Sequence, residues 1–354
     1  MVFDLLKVFL PSITAFWLGI VMTPVLTYYL YRYKAWKKKA GKIALDGTEA
    51  QEFAKLREET ETKTPRMGGI IIWASVAATT GVMWALAHVW PDTGAAKFDF
   101  LSRTQTWIPL TTLLLGGLVG LVNDILDVTS ESGERGIRLS ARLVFVSLLA
   151  LFIGWWFYDK LDVTALGIPF NGEWEIGWLI IPFFILVSVS LYASGVIDGI
   201  DGLSGGVFAS IFTAYAFIAY NQQQIDLAAF CATVVGALLA FLWFNVPPAR
   251  FWMTETGSMG LTITIAAVAF MTDTLGGGKG VLILPIVAFL LVATVVSNLL
   301  QMFWKKFFRK RLFRIAPLHH HFEAIGWPGY KVTMRYWILS IIFAILGVSI
   351  ALAG

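Results

Sequence analysis

Acidic residues recur in pairs where apolar sequence gives way to polar sequence. Asp124 and Asp127 are three apart, after Asn123, and Asp198 and Asp201 are three apart within Asp-Gly-Ile-Asp-Gly. On a helix that spacing puts each pair on one face. Carboxylates that converge repel one another unless a cation sits between them, and all-oxygen ligation suits Mg²⁺, which takes one or two carboxylates plus phosphate oxygens. The competing reading is that these acids cap helix ends or pair with loop arginines such as Arg135 and Arg138. Gly195, Gly199, Gly202, Gly205 and Gly206 surround the second pair. Glycine there lets backbone approach a ligand and frees N–H groups for an anion, although turns and helix packing use glycine too. Lys63 precedes Thr-Pro-Arg-Met-Gly-Gly, either as a point charge for phosphate or as part of a solvated basic loop. His319, His320 and His321 are consecutive; a regular helix or strand cannot aim all three at one ion. One or two of them are therefore expected to face a ligand as proton carriers or donors, unless the run is a solvated cluster.

The elements that must position these residues are written in the composition. Of 354 residues, 57% are hydrophobic and only 14% charged, with a mean hydropathy of +0.72. Soluble domains carry about 25% charged residues, so a water-soluble globule is excluded. Cys231 stands alone, which excludes an internal disulfide and any cysteine-based metal cluster. About 20 apolar residues cross a bilayer. Windows of that length give about ten spans, near 8–31, 69–90, 107–126, 141–158, 178–193, 205–220, 228–245, 257–273, 280–303 and 336–353. The first reads as a span rather than a cleaved leader, because it lacks a basic start and a small-residue cleavage site. The expected fold is an all-α polytopic membrane bundle forming a single domain over 1–354, with no room in the loops for a second core. Loops after odd-numbered spans hold 22 of the 27 Lys and Arg. By the positive-inside rule those loops are cytoplasmic and both termini lie on the outer, periplasmic side. Every polar cluster above, together with Asn245-Val-Pro-Pro and Glu255-Thr-Gly-Ser, then falls on the cytoplasmic face, as one site requires.

In this order and on this many spans, KTPRMGG (63–69), DGIDGL (198–203), NVPPARFWMTETGS (245–258) and PLHHHFE (317–323) resemble the phospho-N-acetylmuramoyl-pentapeptide transferases. These are a branch of the polyprenyl-phosphate N-acetylhexosamine-1-phosphate transferases. The resemblance covers nearly the whole chain, and PLHHHFE is its most specific element. It implies a Mg²⁺-dependent reaction in which undecaprenyl phosphate attacks UDP-MurNAc-pentapeptide, giving lipid I and UMP for peptidoglycan. Residue by residue, it implies catalytic roles for Asp124, Asp198, Lys63, His319, His320 and His321. Nucleotide-sugar contacts would come from Asp201, Gly199, Asn245, Trp252 (as a stacking ring for uracil) and Gln301. Metal contacts would come from Glu255, Asp124 and Asp198. It further implies a multi-pass protein of the bacterial inner membrane, active on the cytoplasmic face, surrounded by membrane lipid, homodimeric, and without a nucleic-acid partner.

The chain departs from the family pattern at four positions. Asn123 replaces one aspartate of a pair, Glu255 replaces a metal-binding aspartate, Gly195 replaces an asparagine, and Asp127 replaces a lysine. Asp127 and the Thr-Pro-Arg of the Lys63 loop also resemble the sibling transferases that use UDP-GlcNAc, which makes that donor the first alternative. A cation-coupled transporter or flippase is the second; it predicts acids near mid-membrane and polar residues at both mouths.

Overall fold

The computed structural model describes residues 2–38, 62–130 and 136–353. Arg135 and most of the basic stretch after the first span lie outside the described residues. Twelve α-helices and one small hairpin are found among them: α1 Val2–Arg32, α2 Ile70–Val89, α3 Trp107–Thr129, α4 Leu139–Lys160, β1 Ala165–Ile168, β2 Gly172–Glu175, α5 Ile180–Ser194, α6 Leu203–Asn221, α7 Ile225–Asn245, α8 Glu255–Met271, α9 Leu284–Val287, α10 Phe289–Phe308, α11 Leu318–Ala324 and α12 Gly329–Ala353. Each of the ten apolar windows is helical. Among the described residues eight helical segments are long and apolar enough to cross a membrane by themselves. The other two windows differ for physical reasons. The eighth, α8, has only 17 residues and is buried along nearly its whole length. The ninth breaks at Ala288, splitting into α9 and α10, and α10 is amphipathic with Lys305 and Lys306 in its last turn.

The centre of the bundle is α6, α7 and α8, whose side chains are mostly buried, while α1, α4 and α12 lie outside and show apolar faces outward. The principal pairings are α1 on α7, α3 on α8, α6 on α7, α4 on α5 and α12 on α6. Polar side chains inside this apolar frame bond locally. Thr264 Oγ1 donates to the Gly260 carbonyl at 2.7 Å and lies 3.0 Å from Thr112 Oγ1 of α3. Such bonds spare the bundle the cost of an unsatisfied hydroxyl.

Close approach of α3 to α8 positions the site. A Cβ on Gly120 would stand 2.0 Å from the Glu255 carbonyl oxygen, and one on Gly116 2.7 Å from Gly260 Cα. Only glycine fits there, and the contact brings the last turn of α3, with its acids, beside the first turn of α8. At the other end of the bundle, β1 and β2 pair antiparallel with Ala165 opposite Glu175. Asp273 fastens that hairpin, accepting from Gly167 N at 2.7 Å and Val281 N at 2.8 Å.

Candidate active site

Four loop regions converge where α2, α3, α6 and α8 begin or end. Residues 65–69 run alongside 252–254. Trp252 N donates to the Pro65 carbonyl at 2.9 Å, Gly68 N to the Trp252 carbonyl at 2.8 Å and Gly69 N to the Met253 carbonyl at 3.2 Å. Met67 N donates to Thr254 Oγ1 at 3.1 Å. The Lys63 loop is therefore held by backbone bonds to the segment before α8, and Lys63 itself is exposed at its start.

Thr254 is the hub. Its hydroxyl donates to Asp124 Oδ2 at 2.5 Å and its N–H to Asp198 Oδ2 at 2.7 Å. Thr256 adds its N–H at 2.9 Å and its hydroxyl at 2.6 Å to the same Asp124 oxygen. Thr254 has φ 56° and ψ −166°, a conformation almost confined to glycine and costly for a β-branched residue. Neighbouring bonds to two carboxylates hold it there. Asp124, Asp198 and Glu255 thus meet on one three-residue turn, although 131 positions separate the first from the last.

Asp124 is fully buried. Its other oxygen lies 3.6 Å from Arg66 Nη2 and 3.4 Å from Asn123 Nδ2. Arg66 Nη1 is 3.4 Å from Asp127, which Lys37 also approaches at 3.8 Å. Arg66 therefore stands between the two acids of α3, and its Nε is buried with no acceptor among the described residues. Glu255 is paired with Arg142 of α4, whose Nε is likewise buried without an acceptor. Of the four aspartates in the competing reading, Asp124 and Asp127 do face a loop arginine, which is Arg66 and not Arg138; Arg135 lies outside the described residues. Asn123 takes a different task. Its Oδ1 accepts from Ile137 N at 2.9 Å and ties the α3–α4 connection to the site.

The glycine-rich turn is pinned from several sides. Asp198 Oδ1 accepts from Ser204 Oγ at 2.7 Å. Asn245, at the end of α7, accepts from Gly202 N at 2.9 Å and donates to the Phe251 carbonyl at 2.8 Å. Asp201 accepts from the Trp252 indole N–H at 3.0 Å and from Ala249 N at 3.1 Å. This fixes the plane of Trp252. Thr333 and Trp337 of α12 donate to the carbonyls of Asp201 and Gly202.

The histidines arrive on α11. His319 and His320 are buried and half-buried His321 faces elsewhere, accepting from Arg314 N at 3.2 Å. A Cβ on Gly199 would lie 2.6 Å from His320 Nε2 and 2.8 Å from His319 Nε2. Two imidazoles thus rest on the bare backbone of Gly199, which is why no side chain is tolerated there. His320 Nδ1 lies 2.8 Å from Glu323 Oε2; a carboxylate only accepts, so this nitrogen is the donor and the edge toward Gly199 carries Nε2. Gln301 is more remote. Its amide donates to the Phe313 carbonyl and accepts from Leu312 N and Phe313 N, fastening the chain after α10.

Of the residues singled out from sequence, Asp124, Asp198, Asp201, Gly199, Asn245, Trp252, Glu255, His319 and His320 gather around these turns. Lys63 sits at their edge, and His321 and Gln301 face the 312–314 segment. Sequence reasoning did not single out Arg66, Arg142, Thr254, Thr256 or Ser204. Arg66, Thr254 and Thr256 lie inside motifs it quoted; Arg142 looks like any basic residue at a helix start. Among the described residues no three His, Cys, Asp or Glu side chains form a ready metal cage. The expected trio Asp124, Asp198 and Glu255 turns its oxygens to protein donors instead. Those oxygens and nearby hydroxyls are nevertheless the hard donor set a divalent cation takes, if phosphate completes the shell.

A helical membrane bundle that gathers acids, arginines and a glycine-rich turn at one end has the layout of an integral-membrane glycosyl transferase, and residues 106–273 match the Glycosyl transferase family 4 model. Relatives named phospho-N-acetylmuramoyl-pentapeptide-transferase extend the likeness over almost the full length. That of Geobacillus thermodenitrificans is 34% identical over 342 residues, 95% of each chain. Those of Geobacillus kaustophilus and Bacillus anthracis are 33% and 31% identical over 343 residues, again 95% of each chain. The chain belongs to the phospho-N-acetylmuramoyl-pentapeptide-transferase family.

Proposed function

We propose that the protein transfers phospho-N-acetylmuramoyl-pentapeptide from its UDP-linked form to undecaprenyl phosphate, yielding lipid I and UMP. The observation that carries this reading is the meeting of Asp124, Asp198 and Glu255 on the Thr254–Thr256 turn, with Arg66 and Arg142 beside them. An oxygen of the lipid phosphate forms the new bond to the sugar-linked phosphorus. The bond from that phosphorus to the bridging oxygen breaks, and the electron pair leaves on UMP. A phosphate monoester is largely ionised at neutral pH, so the acceptor needs placement and charge neutralisation more than deprotonation.

In this reading Asp124 acts chiefly by holding the 254–256 turn, and accepts the remaining acceptor proton on the oxygen facing Arg66. Glu255, with Asp198 and Asp124, would hold Mg²⁺, which when bound supplies charge neutralisation at the diphosphate. Arg142 keeps Glu255 neutralised in the meantime. Trp252, its ring fixed by Asp201, offers a face for uracil, and Asn245 and the Gly199 turn shape the nucleotide side. His319 and His320 face the same turn; because Nδ1 of His320 donates to Glu323, its Nε2 donates to the sugar-linked phosphate when the ring is an imidazolium, and Lys63 draws the donor in from the aqueous side. The site is proposed to face the cytoplasm of a bacterial inner membrane, in a homodimer.

The test is UMP release and lipid-linked product from purified protein, undecaprenyl phosphate and Mg²⁺ with each donor separately. Turnover with UDP-MurNAc-pentapeptide and none with UDP-GlcNAc is expected. The Asp127–Arg66 pair favours UDP-GlcNAc as the second reading, and the opposite donor preference would establish it. A transporter fits poorly, because the acids cluster at one end.

A further inference from the structure

A second feature lies at the opposite end of α3. Trp107 opens the helix 17 residues before Asp124, about 26 Å away at 1.5 Å per residue. There α3 and α4, consecutive in sequence, lean away from each other: α3 packs on α8 and α4 on α5. The wedge between them is a groove of about 410 Å³. Trp107, Thr111 and Leu115 form one stripe of α3, and Leu149, Ile153 and Trp156 one stripe of α4. Ile153 is the buried floor, while Trp107 and Leu115 stand exposed at the rim. Arg103 sits at the outer end of the groove, exposed, and makes no ion pair or hydrogen bond with the described residues.

A groove with apolar walls, a guanidinium at one end and tryptophans at the membrane–water boundary matches an amphipathic ligand with an anionic head. The surroundings of such a groove are lipid. Among the described residues no acidic one lines it, so the groove itself offers the ammonium of a zwitterionic headgroup no partner. We propose that the α3–α4 groove is a binding site for an anionic phospholipid, with one acyl chain between the helices and the phosphate on Arg103.

The test is native mass spectrometry of the full-length protein in detergent with phosphatidylglycerol or phosphatidylcholine of matched chains. Wild-type protein is expected to retain phosphatidylglycerol about tenfold more tightly, because both phosphates can reach Arg103 but the ammonium of phosphatidylcholine offsets that attraction. Arg103→Gln should erase that preference, and Leu115→Trp, which fills the groove, should reduce retention of both lipids. Ultraviolet-monitored UMP release should be unchanged in Arg103→Gln, which separates this site from the catalytic one and keeps the result independent of the donor identity. Equal retention of the two lipids by wild type, or an undiminished preference in Arg103→Gln, would overturn the proposal. So would a disulfide between two copies at Thr111→Cys, which would give the groove to a protein partner. If Leu115→Trp fails to fold, Arg103→Gln decides alone.

Discussion

Thr254 shows how one residue carries a site. Its hydroxyl and N–H serve two different carboxylates while its backbone holds a conformation that glycine adopts freely. Thr254→Ala keeps the strained backbone and removes the hydroxyl, so Asp124 loses a donor worth about 1–3 kcal/mol. Thr254→Gly also removes the hydroxyl but relieves the strain. Both variants are expected to lower turnover by one to two orders of magnitude, and the glycine variant is expected to melt at the higher temperature. A glycine variant less stable than alanine would show that the backbone is not strained. Arg66 invites a paired test. Arg66→Gln leaves Asp124 and Asp127 facing each other without their shared cation, whereas Arg66→Gln with Asp127→Asn removes the excess charge as well. The double variant should retain more activity than Arg66→Gln alone, a coupling that additive effects would not produce.

At the scale of elements, the helices were legible because a bilayer demands long apolar runs, and all ten windows are helical. What did not show in the sequence was the break at Ala288 and the burial of α8, since hydropathy averages over a kink and does not distinguish a lipid-facing helix from a core one. The acids were legible for a similar reason: a carboxylate beside hydrocarbon needs an explanation. Arg142 and Thr256 were not: a basic residue at a helix start is ordinary until the fold sets it against Glu255, and Thr256, though inside Glu255-Thr-Gly-Ser, is one polar neighbour among several until the fold sets it against Asp124. The closeness of α3 to α8 yields a prediction at this scale. Gly120→Ala places a methyl into the Glu255 carbonyl, and the overpacking should cost about 1–3 kcal/mol. A lowered melting temperature with a matching loss of activity is expected; unchanged melting would mean that α3 and α8 separate freely.

For the whole molecule, the uneven basic loops predict which face meets the cytoplasm. Cys231 is fully buried and contributes little background to thiol labelling. In intact cells a membrane-impermeant maleimide should label Glu173→Cys in the hairpin and spare Lys306→Cys at the end of α10, and inverted vesicles should reverse the pattern. Labelling of both from one side would refute the assigned orientation. The hairpin and the site sit at opposite ends of one bundle, so this measurement also reports the face from which a nucleotide must arrive.

The backbone bonds between residues 65–69 and 252–254 join a segment near the start of the chain to one near its last third. Opening one strip breaks bonds to the other, so amide exchange at Gly68, Gly69 and Trp252 is expected to be coupled. An inhibitor that stiffens this seam would therefore still both the basic loop and the Trp252 indole with a single foothold.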